Sequence, residues 1–364
     1  MDSLDARLDQ NELAGRRIQI FDPNDANTGD RGGFDSFGDF LHCLRYERGD
    51  SRLVPLQQRA LSTDGESGGI LIPEAYDYSL TTYIASASIV RGRARVFPAD
   101  PQHPDGALEL PALDYSKGRR AGVSVSWFGE NSNLPGSAEP AWHSIKLEPS
   151  QLGAICTLSD KLLRNAKIAQ ETLMAIFADA IAAAEDAAFL RGNGVAKPLG
   201  IFGHPATLGV PRTGADHVAY IDLVNMIAAT KPGGSYLWVI SRTALPDLMT
   251  MTLPGGTLPA FVPAGDVVNG GRLLGLPYVE WEAAPTLGNE GDVQLCDFRS
   301  YLVKDGLGTR IDSSNSALDN FAQAQTSFRV IRSVDGQPGL SAPWVLEDGT
   351  ETSPFVQLTD AEGG

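Results

Sequence analysis

Few residues of this chain occur at a spacing that supports catalysis or metal binding. The five histidines show neither HxxxH nor HxH spacing, and Cys43, Cys156 and Cys296 include no CxxC pair. The glycine-rich loop at Gly192–Gly194 follows a predicted helix, whereas a dinucleotide-binding loop follows a strand and opens a helix. A P-loop and a nucleophile elbow are both missing. We therefore predict no catalytic residue, cofactor or metal, and reduced, mostly buried thiols.

Two groups of charged residues nevertheless stand out. Glu185 and Asp186 are adjacent on a predicted helix and point about 100° apart, so they do not form an acid–base pair. We interpret them as a solvated or ion-paired helix face. Arg91, Arg93 and Arg95 alternate along a predicted strand from Val90 to Phe97. They form either one exposed face or a cationic stripe that meets an acidic neighbour, and the sequence leaves both interpretations open.

The element around which the chain is organised is a long helix within Ser159–Phe202. The segment Ala166–Arg191 contains no Gly or Pro and predicts a helix of roughly 39 Å at ~1.5 Å per residue. Gly192 and Gly194 are expected to end the helix, and Pro198 prevents it from resuming. Apolar residues at three- and four-residue steps predict one buried stripe, made of Leu173, Ile176, Phe177, Ala180, Ile181, Ala184 and Ala188.

Residues 98–150 have the alternating pattern of exposed hairpin strands. Alternation runs over Ala107–Leu113, Ala121–Phe128 and Ser144–Glu148, and Pro, Gly and charged residues separate the runs. A hairpin with so few large apolar residues cannot form its own core. We expect it to rest on material outside itself, most simply a neighbouring subunit.

The remaining segments predict an α/β unit over residues 206–298, a strand-rich region over 299–340 and an acidic tail beyond. Residues 1–34 are polar and read as a flexible acidic terminus. The formal charge of −16 argues against nucleic-acid binding through the bulk surface, because phosphate contact depends on Lys and Arg. The sequence has no apolar run of 18 residues and no secretory signal, so we expect no membrane span.

A set of sequence blocks, in order along the chain, resembles the major capsid proteins of tailed phages, which share the Hong Kong 97-like fold. The most specific are GGILIPEAY and EDAAFLRGNGVAKPLGIF, supported by IVRGRARV, SVSWFGEN, RLLGLPYVE and RVIRSVDGQP. The resemblance covers roughly residues 35–340. It implies an α+β fold with an N-terminal arm, an extended β-hairpin loop, a peripheral domain with a long spine helix, and an α/β axial domain.

The resemblance also implies a division of the chain into parts. The expected parts are a flexible N-terminus (1–34), the N-terminal arm and start of the peripheral domain (35–97), the extended loop (98–150), the peripheral domain with the spine helix (151–205), the axial domain (206–298), the return strands of the peripheral domain (299–340) and a C-terminal tail (341–364).

The function implied is structural rather than enzymatic. The chain is expected to assemble with itself, as pentamers and hexamers, into the icosahedral shell of a virion, in the host cytoplasm and around double-stranded DNA without sequence-specific binding. A portal protein, a separate scaffolding protein and a decoration protein are the expected partners. Many relatives begin with a longer scaffolding segment, so scaffolding here is either a separate protein or a segment that the numbered chain lacks.

Intersubunit contacts are expected at charged and aromatic residues of the arginine segment and the extended loop. These are Arg91, Arg93, Arg95, Lys117, Arg119, Arg120, Trp127 and Glu130. Some relatives cross-link a loop lysine to an asparagine of a neighbour, for which Lys117 and Asn320 are the candidates. Such an isopeptide bond would also need a nearby carboxylate in a dry pocket to take the proton.

Two alternatives remain open at this stage. An encapsulin-like bacterial compartment shell resembles the same fold, and its particles would hold a cargo protein instead of DNA. An α/β enzyme built on residues 206–298 belongs to another class, but the segment lacks a recognisable nucleophile, base or cofactor loop.

Overall fold

The computed structural model of the chain describes residues 31–47, 49–64, 70–113, 127, 142–163, 166–251, 272–315, 320–346 and 348–360. The structure confirms a mixed α+β protein. It divides into two compact units, of which the first comprises Met1–Ser88, Gly153–Ala182 and Gly308–Ile331. The second comprises Ile89–Leu152, Ala183–Leu307 and Arg332–Gly364.

The helices vary from one turn to seven turns. They are α1 (Phe37–Tyr46), α2 (Leu53–Asp64), α3 (Glu74–Ala87), α4 (Asp160–Leu163), α5 (Ala166–Arg191), α6 (Tyr220–Ala228), α7 (Leu245–Thr250) and α8 (Asn320–Gln323).

Most strands are short. They are β1 (Ile70–Leu71), β2 (Arg95–Phe97), β3 (Leu108–Leu113), β4 (Trp142–Leu147), β5 (Ser150–Ser159), β6 (Leu208–Pro211), β7 (Leu237–Ser241), β8 (Arg272–Leu273), β9 (Leu276–Trp281), β10 (Val293–Cys296), β11 (Tyr301–Asp305), β12 (Arg310–Ser314), β13 (Gln325–Pro338), β14 (Trp344–Val345), β15 (Glu351–Thr352) and β16 (Phe355–Thr359).

The first unit packs α1 and α3 around an aromatic cluster. Ser36 begins α1 because its side chain accepts a hydrogen bond from the Asp39 amide at 3.1 Å. The rings of Phe37 and Phe40 lie 5.9 Å apart, and those of Phe37 and Tyr76 lie 5.5 Å apart. Beside them β12 pairs with β1 and with the first half of β13, both antiparallel.

The second unit contains a six-stranded sheet in the order β6-β16-β10-β7-β9-β8. Strands β7 and β10 are buried along their whole length, as expected for strands covered on both faces. On one face, Trp238 and Ile240 join a core with Leu223 of α6 and Leu248 of α7. On the other face, Leu237 and Val239 pack with Phe189 and Leu190 near the end of α5.

The chain after Gly339 is not a simple acidic tail, and the expectation of a tail over residues 341–364 is wrong for its described part. Strand β16 lies inside the six-stranded sheet, antiparallel to β10 and parallel to β6. Phe355, Val356 and Leu358 are fully buried there. The short run FVQLT is too brief to be separated from its acidic flanks by composition, although its apolar residues are typical of a buried strand.

Helix α5 has the predicted bounds, Ala166–Arg191, but not the predicted buried face. Ile176, Ala180 and Ala184 are exposed, whereas Glu185 and Asp186 are buried. Burial recurs at four-residue steps from Leu173 to Phe189, and four residues turn an α-helix through about 400°. The buried face therefore rotates by about 40° for every four residues, so it does not follow the straight stripe that the sequence predicts.

The end of α5 depends on the absence of a side chain at Gly192. A Cβ atom on Gly192 would lie 2.0 Å from the carbonyl oxygen of Pro198 and 2.4 Å from that of Ala188. The Gly192 amide donates to Ala188, and its carbonyl accepts from Gly200 at 2.8 Å. Gly194, with φ of +73°, makes the following turn, so the two glycines end the helix for different reasons.

Strand β16 generates a testable prediction. Truncation after Pro354 removes three fully buried apolar side chains, each contributing about 1.5–3 kcal/mol, which together approach the whole stability of a typical domain. We expect the truncated chain to lose cooperative unfolding of the second unit, measured by circular dichroism on denaturant titration. Truncation after Asp360 is the matched control and should unfold like the full chain, and equal stability of both truncations would contradict the assignment.

Candidate intersubunit hairpin and its anchoring

The arginine segment is placed differently from the prediction. Residues 89–93 form turns, and the strand begins only at Arg95, so the predicted strand over Val90–Phe97 is too long by five residues at its start. Arg91 is 3% exposed, whereas Arg93 and Arg95 are exposed. The three arginines therefore form neither one exposed face nor a continuous cationic stripe. Arg93 and Arg95 remain available for contacts, and Arg95 stacks over Phe97 at 4.9 Å.

Arg91 is withdrawn from the surface because it belongs to a buried ion network. Its Nε lies 2.7 Å from Oε2 of Glu185, and its Nη2 lies 2.7 Å from Oδ1 of Asp305. Arg332 closes the network at 3.1 Å from Asp305 and 3.6 Å from Glu185. The side chains of Arg91, Glu185 and Arg332 are at most 6% exposed, and two cations face two anions.

Asp186 fixes the backbone of the same turn. Its carboxylate accepts hydrogen bonds from the amide of Ile89 at 2.6 Å and the amide of Val90 at 3.2 Å. Of the two readings of Glu185 and Asp186, the structure excludes a solvated face and shows Glu185 ion-paired. Both carboxylates hold the segment that carries Arg91, and this explains why a helix places two acids on its buried side.

The hairpin legs are strands β3 and β4, which pair antiparallel with Leu108 opposite Leu147 and Leu113 opposite Trp142. On the underside, Ile145 and Leu147 are buried with Leu302 of β11, and Phe97, Leu108 and Leu110 pack around them. The predicted outer strands of the hairpin are thus confirmed. The predicted middle strand Ala121–Phe128 lies largely outside the described residues.

Strand β11 separates the core from the hairpin through its alternating side chains. Tyr301 and Val303 belong to the core that contains Phe189, whereas Leu302 lies under the hairpin. Lys304, on the same face as Leu302, is 2% exposed. We call Leu302 and Lys304 of β11, together with their cross-strand partners Gln337 and Asp335 of β13, the hairpin seat.

Polar side chains of the seat hold both legs of the hairpin. The ammonium group of Lys304 donates to the carbonyl oxygens of Pro104, at 3.2 Å, and Gly106. Asp335 accepts from the Glu148 amide at 2.6 Å, and Gln337 donates to the carbonyl of Lys146 at 2.9 Å. Sequence reasoning missed these residues, although the alternation in YLVKD already places Leu302 and Lys304 on one face.

The opposite face of the hairpin is open. Glu109, Pro111, Trp142 and Ser144 alternate onto this face, and together with His143 they line a shallow pocket. Trp142 is 66% exposed, which is unusual because a tryptophan side chain carries a large apolar surface. This face is the part of the described hairpin best suited to contact another protein surface.

The remaining predicted contact residues lie mostly in the hairpin tip. Lys117, Arg119, Arg120 and Glu130 fall outside the described residues, and Trp127 is fully exposed. Asn320 is 2% exposed, and its amide donates to Ser327 Oγ at 2.7 Å and to the Ser314 carbonyl at 3.3 Å. A cross-link to Asn320 would require its side chain to leave these partners.

One cluster within the described residues resembles a metal site in composition. The ligand atoms of Cys43, Glu47 and Asp50 lie within 4.8 Å of one another. Arg52 already binds Asp50 at 2.6 Å and donates to the Cys43 sulfur at 3.1 Å. Burial and then the charge of Asp39 raise the pKa of Cys43 to about 11, so the free thiol keeps its proton near neutral pH.

The described part of the chain contains no helix that is both long and apolar enough to cross a membrane. Cys43 and Cys296 are buried and Cys156 is half-buried, and all three thiols are free.

Comparison with known proteins identifies relatives. A model of the phage capsid family matches residues 68–346. The major capsid protein of Klebsiella oxytoca phage phiKO2 is 24% identical over 304 residues, which cover 76% of this chain and 67% of the relative. The structure is similar to the capsid of a native GTA particle, with a TM-score of 0.56 and 20% identity. The match covers 76% of this chain and 90% of the capsid chain. It is also similar to a structure from Mycobacterium phage Adephagia, with a TM-score of 0.51 and 13% identity. That match covers 76% of this chain and 91% of the phage chain.

The ion network predicts a large difference between two acids of the same helix. Glu185→Ala leaves Arg91 and Arg332 buried with one anion fewer, which costs about 3–5 kcal/mol of unfolding free energy. Asp179→Ala, on the exposed side of α5, should change it by less than about 0.5 kcal/mol. Denaturant titration of the unassembled chain measures both, and Glu185→Gln offers a milder variant. Equal effects at the two positions would contradict the network's role.

Asp305 predicts how the network responds to acid. Burial would raise the pKa of Asp305, but hydrogen bonds from Arg91 and Arg332 and their positive charges lower it below its ordinary value of 3.8. A carboxyl with a depressed folded pKa adds stability above its unfolded pKa of about 3.9 and loses it as the pH falls through the folded value. The difference in unfolding free energy between the wild type and Asp305→Asn should therefore shrink as the pH falls below about 4. A constant difference from pH 6 to pH 3 would oppose this assignment.

Proposed function

The chain belongs to the phage capsid family, and we propose that it is the major capsid protein of a tailed phage, forming the icosahedral shell that encloses double-stranded DNA. The observation that carries this proposal is the family match, which spans residues 68–346. The relative from phage phiKO2 is named a major capsid protein, which supports the same role here.

The hairpin gives this role a physical basis. A closed shell needs heterologous contacts between copies, in which one surface patch meets a different patch of the neighbour. The hairpin has one face anchored on its own subunit and one open face with Trp142. We assign the open face, with Arg93, Arg95 and the charged residues of the tip, to contacts with adjacent subunits.

We extend the family's architecture to this chain as part of the same proposal. Residues 35–97 would provide the N-terminal arm, 98–150 the extended loop, and 151–205 with 299–340 the peripheral domain around the spine helix α5. The sheet-forming segment 206–298 would be the axial domain, and β16 adds a strand to it from the C-terminal region. Pentamers and hexamers of the chain would form the shell in the host cytoplasm, with a portal, a separate scaffolding protein and a decoration protein as partners.

The acidic composition is compatible with a container for DNA. With a formal charge of −16, the net charge of the subunit opposes the accumulation of phosphates, so we expect enclosed DNA to be packed without tight binding. The encapsulin-like alternative is disfavoured, because the family model and the relatives are those of phage capsids. No side chain of the proposal is assigned a catalytic role.

Electron microscopy of the purified chain tests the proposal together with Trp142. We expect the wild type to form closed shells and Trp142→Asp to remain as small oligomers at the same concentration, because a charge at the contact opposes burial. Since Trp142 is largely exposed, the thermal unfolding of the unassembled variant should match that of the wild type.

Two outcomes would count against the proposal. A wild type that forms no shells, alone or with scaffolding protein, would remove the shell function. Normal shell yield from Trp142→Asp would remove the open hairpin face from the contacts. Shells isolated from infected cells should contain DNA, whereas a packaged cargo protein would restore the compartment alternative.

A further inference from the structure

Lys304 is a buried lysine whose role the family match does not explain. It is 2% exposed, and both hydrogen bonds shown for its ammonium group go to main-chain oxygens. Burying an ammonium group is costly unless it is satisfied by hydrogen bonds. Lys304 obtains these bonds from two main-chain carbonyls, those of Pro104 and Gly106, which directly precede the first leg of the hairpin.

Asp335 has the complementary position. It lies directly opposite Lys304 in the register of β11 and β13. Its carboxylate accepts hydrogen bonds from the amide of Glu148, which directly follows the second leg, and from the amide of Gly336 at 2.8 Å. One cross-strand pair of opposite charge therefore contacts both ends of the hairpin, a cation at its carbonyls and an anion at its amide.

We propose that Lys304 and Asp335 form a polar clamp that fixes the direction in which the hairpin leaves its subunit. Lys304 holds the incoming leg, and Asp335 holds the outgoing leg. The clamp is a property of the single subunit, and only its consequence for assembly rests on the proposed function.

The apolar part of the seat cannot fix this direction. Contacts of Leu302 with Ile145 and Leu147 bury area but are non-directional, so they tolerate sliding and tilting. Hydrogen bonds weaken steeply when the donor is misaligned, and those to charged groups are the strongest. Asp105 adds a third directional contact, accepting from the Leu307 amide at 2.8 Å.

The charges that face the clamp are acidic on several sides. Asp100 and Asp105 approach Lys304 from the incoming leg, and Glu148 approaches Asp335 from the outgoing leg. Burial lowers the pKa of Lys304, and the carboxylates of Asp105, Asp100 and Asp335 oppose that decrease. These three acids thus support the charged form of Lys304.

Precision at the clamp matters because the hairpin is long. Six residues of strand span about 20 Å at ~3.4 Å per residue. A tilt of about 10° at the base would move the far end of the described legs by about 3.5 Å, which is enough to break a hydrogen bond or a packed contact. Any contact made beyond these legs depends on the clamp still more strongly.

Amide hydrogen exchange of the full-length, unassembled chain tests the proposal. Lys304→Met keeps the length of the side chain and removes its donors. The amide of Gly106 donates to the His103 carbonyl and that of Leu307 to Asp105, so both report whether the segment held by Lys304 stays in place. We expect both amides to exchange about tenfold faster or more, because a hydrogen bond to a charged group contributes about 1.5 kcal/mol or more. Asp335→Ala should accelerate the Glu148 amide, and in both variants the amides of Val293–Cys296 in the second unit's central sheet should keep their rates.

Val303→Ala provides the matched control on the same strand. Val303 is buried on the opposite face of β11, so its truncation should accelerate the whole unit through lower global stability, without a preference for the hairpin legs. Unchanged rates at Gly106 and Leu307 in Lys304→Met would overturn the clamp. Equal acceleration of all amides would also overturn it, because Lys304 would then act only through global stability.

Assembly provides a separate measurement. With the clamp correct and the proposed function correct, Lys304→Met should reduce the yield of closed shells while its hairpin strands remain paired. If the wild type forms no shells, the proposed function fails, but the exchange result on the clamp stands by itself.

Discussion

The constraint on which the second unit depends is the neutrality of its buried charges. Arg91, Glu185, Asp305 and Arg332 come from four segments that are far apart in sequence, and each ion is acceptable in the interior only because the others are present. Such a network adds little net stability compared with apolar residues of the same volume. It does penalise wrong arrangements severely, since a misplaced turn or strand leaves an unpaired ion. The network therefore specifies how the end of α5, the turn at Ile89–Ala94, β11 and β13 come together.

The position of the hairpin depends on this arrangement of β11 and β13. Asp305 ends β11 within the network, and Lys304, its neighbour, holds the hairpin from the other face of the same strand. A β-strand projects successive side chains to opposite faces, so one strand can be fixed by the core and can in turn fix an exposed element. In β13 the same division separates Arg332, in the network, from Asp335 and Gln337, at the hairpin. The surface proposed for assembly is thus positioned by groups that never reach it.

The sequence predicted elements better than it predicted faces. The bounds of α5 follow from local periodicity and from Gly and Pro, which are local signals. The buried face of α5 does not, because burial recurs every four residues instead of at the helical period of 3.6, so the buried face drifts around the helix and includes Glu185 and Asp186. Glu185 could not be assigned to the interior from the sequence, because its ion-pair partners Arg91 and Arg332 are 94 and 147 residues away. Strand β16 was missed for a related reason, since only pairing with β10 and β6 distinguishes its five residues from an exposed tail.

Charge finally constrains how such subunits associate. Among the described residues five cations and five anions are buried, so burial there removes no net charge from a chain whose formal charge is −16. Copies of the chain repel one another at distances up to about 8 Å in physiological salt, the range over which exposed charges act. Under the proposed function, association must therefore come from short-range contacts that are specific enough to overcome this repulsion. An apolar side chain such as Trp142, on a hairpin held in one direction, meets that requirement, because its contact is made only when the neighbour is correctly placed. Repulsion elsewhere then suppresses incorrect contacts, so the acidic surface favours an ordered shell over an aggregate.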